Sequence, residues 1–103
     1  LIHSAAWVIA YGENAKKLKP ALDSGIAMSA TRFRKGDDFN KEDYAYTGSL
    51  SNKTEGEKFC KKLEQEYGEY ICCVPCKDLS FVKHPTVVGL GDAFAGGLVL
   101  GLL

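Results

Sequence analysis

The run Val87-Val88-Gly89-Leu90-Gly91-Asp92 places a single carboxylate at the head of a stretch that carries no other charge through to Leu103. Gly89 and Gly91 permit backbone angles that side chains forbid, and Ala93 to Leu103 has helical length. The segment therefore reads as strand end, glycine turn, then helix. Unpaired N–H groups and aligned peptide dipoles at a helix start bind anions, phosphate above all. A passive phosphate cradle gains nothing from a carboxylate at the same place, but a base does. Asp92 can accept the proton of an attacking hydroxyl while the N–H groups of Gly89 to Asp92 stabilise charge on a phosphoryl group in transit. An N-cap role for Asp92 explains the local sequence as well, so both readings stand. Two glycine-rich fingerprints are excluded. There is no Gly-Lys-Ser/Thr for a Walker A loop, and Gly89, Gly91 and Gly96 or Gly97 do not keep the dinucleotide spacing.

The other chemistry-bearing cluster is "ICCVPC", with Cys72, Cys73 and Cys76, and Cys60 apart from them. Cys73-Val74-Pro75-Cys76 has thioredoxin-like CxxC spacing, but it follows a strand and leads into the non-helical "KDLSFVKHP". A zinc site would have to recruit Cys60 or His84 from a distance. The expectation is free thiols in a reducing compartment, with a thiol redox protein as the minor alternative. Asp37, Asp38, Glu42 and Asp43 do not keep calcium-hand spacing and read as a solvated acidic face.

The elements that position these residues follow from pattern. Leu1 to Tyr11 reads as one strand, apolar on both faces and suited to the centre of a covered sheet. A helix is expected from about Ala15 to Ala30, with Leu18, Leu22, Ile26 and Ser29 or Ala30 on one face beside Ala21 and Gly25, and Pro20 in its first turn. Residues 34 to 53 are polar and turn-rich and read as a long surface excursion. Thr54 to Gly68 predicts a helix with Phe59, Leu63 and Tyr67 at helical spacing and a glycine stop. Tyr70 to Val74 reads as a buried strand, and "LSFVKHPTVV" as an extended or hairpin segment. The extra glycines at 96 and 97 let the last helix pack closely on a neighbour. Alternation of this kind implies an α/β domain with helices layered on a sheet.

Composition bounds the partners. The chain has 103 residues, with 13 Lys plus Arg against 13 Asp plus Glu. Zero net charge gives no electrostatic case for nucleic acid or an anionic membrane. Ala93 to Leu103 falls well short of the roughly 20 residues that span a bilayer. The start on "LIHSAAWVIAYG" lacks an initiator Met and a basic n-region, so a piece of a longer protein is expected.

"VVGLGDAFAGG" resembles the GxGD motif of ribokinase-like sugar kinases, and "VPCKDLSFVKHPTVVGLGD" is similar to the archaeal ADP-dependent phosphofructokinases and glucokinases. "LIHSAAWVIAYGENA" and "ALDSGIAMSATRFRKGDDF" resemble preceding segments of those enzymes, so the likeness covers essentially all of residues 1–103. It implies the C-terminal portion of a ribokinase-like, three-layer α/β/α (Rossmann-like) nucleotide-binding domain in a cytoplasmic enzyme. The implied reaction moves the β-phosphate of ADP, with Mg2+, to a hydroxyl of fructose 6-phosphate or glucose, the former favoured. Asp92 is then the catalytic base, and Gly89, Leu90 and Gly91 form the anion hole. Tyr11 and Val82, with His3 and Pro75 as weaker candidates, are implied to meet the adenine of ADP or AMP. Without the resemblance, Tyr11 reads as a strand-end aromatic, Val82 as core and His3 as a satisfied strand histidine. Arg32 and Arg34 either face phosphates or cap their helix.

The family's acidic magnesium motifs, HxE and NxxE, lie upstream in complete enzymes, as does its lid. The histidines here open "HSA" and "HPT". Asn52-Lys53-Thr54-Glu55 has the letters of NxxE but begins a surface helix. No metal ligand is therefore assigned. The partners implied are ADP or AMP, a sugar or sugar phosphate, and the remainder of the same polypeptide, with no nucleic acid and no membrane. A nucleotide-binding or interaction module without turnover stands as the alternative.

Overall fold

The computed structural model describes residues 1–103. Its first segment is a hairpin where the apolar pattern predicts one strand: β1 (Ile2–His3) and β2 (Trp7–Tyr11) pair antiparallel, with Ile2 opposite Ile9 and His3 opposite Val8. Ser4 makes the break. Its hydroxyl oxygen accepts from the N–H groups of Ala6 and Trp7 at 3.2 and 3.1 Å, and its own N–H donates to the Trp7 carbonyl at 2.9 Å. A short hydroxyl side chain that bonds nearby backbone offers the chain a turn in place of a ladder.

β2 is the central strand. It pairs on its other side with β3 (Ile71–Pro75), again antiparallel, from Trp7 opposite Pro75 to Tyr11 opposite Ile71. Strand alternation sends Val8, Ala10, Cys72 and Val74 to one face. There they pack with Leu22 and Ile26 of α1 (Lys19–Lys35) and Phe94 of α4 (Leu90–Leu102). Ile9, Ile71 and Cys73 go to the other face, against Cys60 and Leu63 of α3 (Thr54–Tyr67). The result is a mixed α/β domain with helices on both faces of a three-stranded sheet. A Rossmann-like frame leads one to expect parallel neighbours, whereas every strand pair here is antiparallel.

α1 departs from its expected span at both ends. Ala15–Leu18 form a 3-10 turn, and the helix runs on to Lys35, where Gly36 at φ 71° ends it by returning its N–H to the Arg32 carbonyl. Its expected inner face is the observed one, with Ala21, Leu22, Gly25, Ile26 and Ala30 buried. The polar excursion 34–53 contains a helix the pattern did not reveal, α2 (Lys41–Gly48). Asn40 and Asp43 close a reciprocal capping box: the Asp43 N–H donates to Asn40 Oδ1 at 2.9 Å, and the Asn40 N–H to Asp43 Oδ2 at 3.1 Å.

α3 has its expected span and its glycine stop, but of Phe59, Leu63 and Tyr67 only Leu63 packs against the buried cluster. Gly56 and Cys60 are buried, while Phe59 stacks on Trp7 at 4.8 Å from a partly exposed position and Tyr67 lies exposed. The backbone carbonyl of Ala6 sits where a side chain on Gly56 would start, which draws α3 onto the β1–β2 turn at this point. Cys60 and Cys73 are joined in a disulfide, with Cα atoms 5.0 Å apart. The expectation of four free thiols is thereby corrected, and only Cys72 and Cys76 are free. The spacing of a CxxC says nothing about a partner 13 residues away across a helix–strand contact.

α4 packs on α1 through Gly97 and Gly101. A Cβ on Gly97 would lie 2.5 Å from the Ser24 carbonyl oxygen, and one on Gly101 2.6 Å from the Ala21 Cα. Gly96 has open space around it, so the close-packing role expected of residues 96 and 97 falls to 97 and 101.

Candidate functional site

The glycine turn is not preceded by a strand. Residues 76–89 form no strand, with one isolated bridge from Lys77 to Asn52 and turns at Ser80–Phe81 and Val88–Gly89, and Val87 and Val88 are 66% and 75% exposed. The chain is held instead by α1: the Thr86 N–H donates to the Phe33 carbonyl at 2.9 Å, and Arg32 Nε donates to the Val88 carbonyl at 2.8 Å. Gly89 then takes the left-handed conformation at φ 78° and acts as N-cap. α4 begins at Leu90, three residues earlier than the apolar run predicts, and is entered from Gly89, whose left-handed backbone a side chain would disfavour.

This start bears on the N-cap reading of Asp92, which the structure does not show. It sits inside the first helical turn, the cap position belongs to Gly89, and no side chain makes a capping bond there. Asp92 is exposed and its carboxylate has no hydrogen-bond partner in the chain. Its one structural contribution is a negative charge near the positive end of the helix dipole. The first intrahelical bond runs from the Ala93 N–H to the Gly89 carbonyl at 3.0 Å, so the N–H groups of Leu90, Gly91 and Asp92 have no backbone acceptor. Gly91 has nothing within 4 Å of where a side chain would begin, leaving room for an anion to approach the backbone.

Beside the turn lies a cavity of about 370 Å³. Its walls come from the β1–β2 turn (His3, Ser4, Ala5), from α1 (Ile26, Ala30, Phe33), from the chain leaving β3 (Cys76 to Ser80), and from Leu90 at the head of α4. The lining surface is mostly apolar, while half of the lining residues are polar or charged, Lys53, Lys77 and Asp78 among them, a make-up a small-molecule site can use. Lys53 braces it by donating from Nζ to the Ala5 carbonyl at 2.9 Å. His3 stacks on Phe94, ring centres 4.5 Å apart, and burial pushes its imidazole below the usual histidine range, so the neutral ring is favoured. Burial raises the Cys76 thiol, with Lys53 opposing in part, which holds it in the protonated, weakly nucleophilic form.

The residues expected to share one site are partly separated. His3 and Leu90 line the cavity, and Gly89, Gly91 and Asp92 adjoin it through Leu90. Pro75 immediately precedes the cavity wall and lines a second hollow of about 300 Å³ behind it. Val82 lies half-buried in the following turn, its N–H bonded to the Leu79 carbonyl. Tyr11 is at the far end of β2, 69% exposed and edge-on to Tyr67, and is not brought to the cavity. Arg34 is committed elsewhere, donating to Thr47 Oγ1 and the Asp43 carbonyl and covering Tyr46. Ser4, Ser29, Lys53 and Asp78 also line the cavity, and no spacing in the sequence links them.

No helix is long and apolar enough to cross a membrane. No family model matches the chain, and no curated protein does. Among solved structures, the chain superposes on a phosphofructokinase from Pyrococcus horikoshii OT3 with AMP, at TM-score 0.74 and 23% identity. A hypothetical ADP-dependent phosphofructokinase from the same organism gives the same values. In both, 97% of this chain is covered and 24% of the other. The chain therefore shares its fold with about a quarter of the length of these phosphofructokinase chains.

Proposed function

We propose that the chain is the C-terminal portion of the ribokinase-like nucleotide-binding domain of an ADP-dependent sugar kinase, with fructose 6-phosphate favoured over glucose as acceptor. The observation that carries this reading is a mostly apolar cavity ending on Leu90, the first residue of the glycine-turn helix, in a fold that overlays a phosphofructokinase bound to AMP. The cavity takes the adenine, with His3 in its wall and Pro75 and Val82 as the remaining adenine candidates, while Tyr11 lies too far along β2 to join them. The turn takes the phosphates. An acceptor hydroxyl oxygen attacks the β-phosphorus of ADP, the bond to the α,β-bridging oxygen breaks, and AMP leaves. Asp92 accepts the hydroxyl proton while the N–H groups of Gly89, Leu90 and Gly91 meet the charge on the transferring group.

Magnesium, when bound, neutralises phosphate charge. No three His, Cys, Asp or Glu side chains converge in this chain, so its residues do not by themselves fit the metal. The remainder of the polypeptide is the partner that supplies those ligands and the acceptor site. It has surfaces to dock on: β1 is an open sheet edge, and Val99, Leu100, Leu102 and Leu103 leave the outer face of α4 apolar and exposed. The missing acidic cluster favours a second reading for the 103 residues alone, a nucleotide-binding module without turnover.

Calorimetric titration with ADP, AMP and ATP, with and without magnesium, tests the reading. Binding of ADP or AMP that Gly91→Val abolishes is the expected result. Absence of binding both to this chain in folded form and to a longer polypeptide containing it would sink the proposal.

A further inference from the structure

Resting on the phosphoryl-transfer reading of the glycine turn, we propose that Arg32 is a positioning residue that aims the first N–H of the anion hole. Arg32 lies in the last turn of α1 with its side chain 21% exposed. Its Nε donates to the Val88 carbonyl at 2.8 Å and its Nη1 pairs with Asp37, while Nη2 has no acceptor in the chain. The guanidinium packs on the turn itself: a Cβ built on Gly89 would lie 3.0 Å from Nε and 3.2 Å from Nη2.

The Val88 carbonyl and the Gly89 N–H belong to one peptide plane and, in a trans peptide, point in opposite directions. Pinning the carbonyl to Arg32 therefore turns the Gly89 N–H away from α1, and that N–H has no acceptor within the chain. The second tether, from the Thr86 N–H to the Phe33 carbonyl, fixes the approach of the same segment. The arrangement uses the arginine fork: one edge holds Val88, and the next nitrogen is itself held by Asp37. A lysine keeps the positive charge at the end of α1 but lacks the planar fork that serves both partners. Lys at position 32 thus separates positioning from the plain benefit of a cation at a helix C-terminus.

The test is a titration of the folded 103-residue chain with inorganic pyrophosphate, following the amide resonances of Gly89 to Asp92 by NMR. Wild type, Arg32→Lys and Arg32→Met are compared, with thermal unfolding measured in parallel. Both variants are expected to bind pyrophosphate about tenfold or more weakly, since a misaimed donor loses most of its value. Arg32→Lys is expected to unfold within a few degrees of wild type, so lost stability does not account for its weaker binding. Wild-type-like affinity in Arg32→Lys would overturn the positioning role while leaving the turn an anion site. Wild-type resonances that ignore pyrophosphate both in this chain and in a longer polypeptide containing it would overturn the phosphoryl reading of the turn, and the role of Arg32 with it.

Discussion

Asp92 and Gly91 are neighbours with different evidence behind them, and each makes its own prediction. The carboxylate of Asp92 is exposed and unengaged, and Gly89 holds the cap position, so removing the carboxylate unseats no cap, and on the proposed reading it withdraws proton transfer. In an active polypeptide containing this chain, Asp92→Asn is expected to lower kcat roughly 100-fold or more with nucleotide affinity nearly intact. Steady-state kinetics checks it, and turnover within a few fold of normal would remove Asp92 as the base. Gly91 is in open space within the first helical turn, so Gly91→Ala is expected to raise stability by up to about 1 kcal/mol through helix propensity. The same methyl group is expected to weaken ADP binding, because on the proposed reading it stands where the phosphate chain would approach the backbone. Chemical denaturation and calorimetry together test this pair, and unchanged affinity would move the ligand away from Gly91. The motif around Asp92 was legible because a glycine pair before a helix announces itself by residue type. Which residue caps the helix was not, since it turns on a helix start three residues away from the expected one.

Packing of α4 on α1 is the element-scale feature that holds the turn beside the cavity. The contact rests on Gly97 and Gly101, where backbone of α1 fills the place of a side chain. Gly97→Ala is expected to cost about 1–3 kcal/mol by overpacking against Ser24 and Met28, whereas Gly96→Ala, facing open space, is expected to be neutral or slightly stabilising. Thermal unfolding of the two variants decides it, and equal effects would mean the helices are not packed this closely. The element boundaries that the sequence missed have specific causes. Ser4 bonds its own neighbourhood and splits the first strand, and the Asn40/Asp43 box builds α2 inside a segment with too few apolar residues to show periodicity. The N-x-x-D spacing of that box was the one available signal for α2.

At the scale of the whole molecule, the disulfide ties α3 to the sheet on the face opposite α1 and α4. It closes a loop with a sequence separation of 13, for which chain-entropy arguments give about 3 kcal/mol. Reduction, or Cys60→Ser, is expected to lower unfolding free energy by about that amount, measured by denaturant titration with and without a thiol reductant. Insensitivity to reductant would mean the two thiols merely pack together. Cys76→Ser is expected to leave nucleotide binding near normal, since burial keeps that thiol protonated, it forms no disulfide, and a serine hydroxyl can replace its hydrogen bond to the Ser4 carbonyl. A large loss on that substitution would give the thiol a part in the cavity.

Residue type and local period are properties of short windows, and those windows contained the inner face of α1, the span of α3, the buried strand β3 and the glycine turn with its carboxylate. The α/β layering also followed, because amphipathic helices and apolar strands leave few ways to bury their faces together. What only the tertiary structure decided depends on residues far apart in the chain: the antiparallel pairing of β2 with β3, the bond between Cys60 and Cys73, and the gathering of His3, Phe33, Lys53 and Leu90 around one cavity. Arg32 belongs to that second group. Its bond to a carbonyl 56 residues away exists because α1 ends where the chain into α4 passes, and a local window registers no such distance.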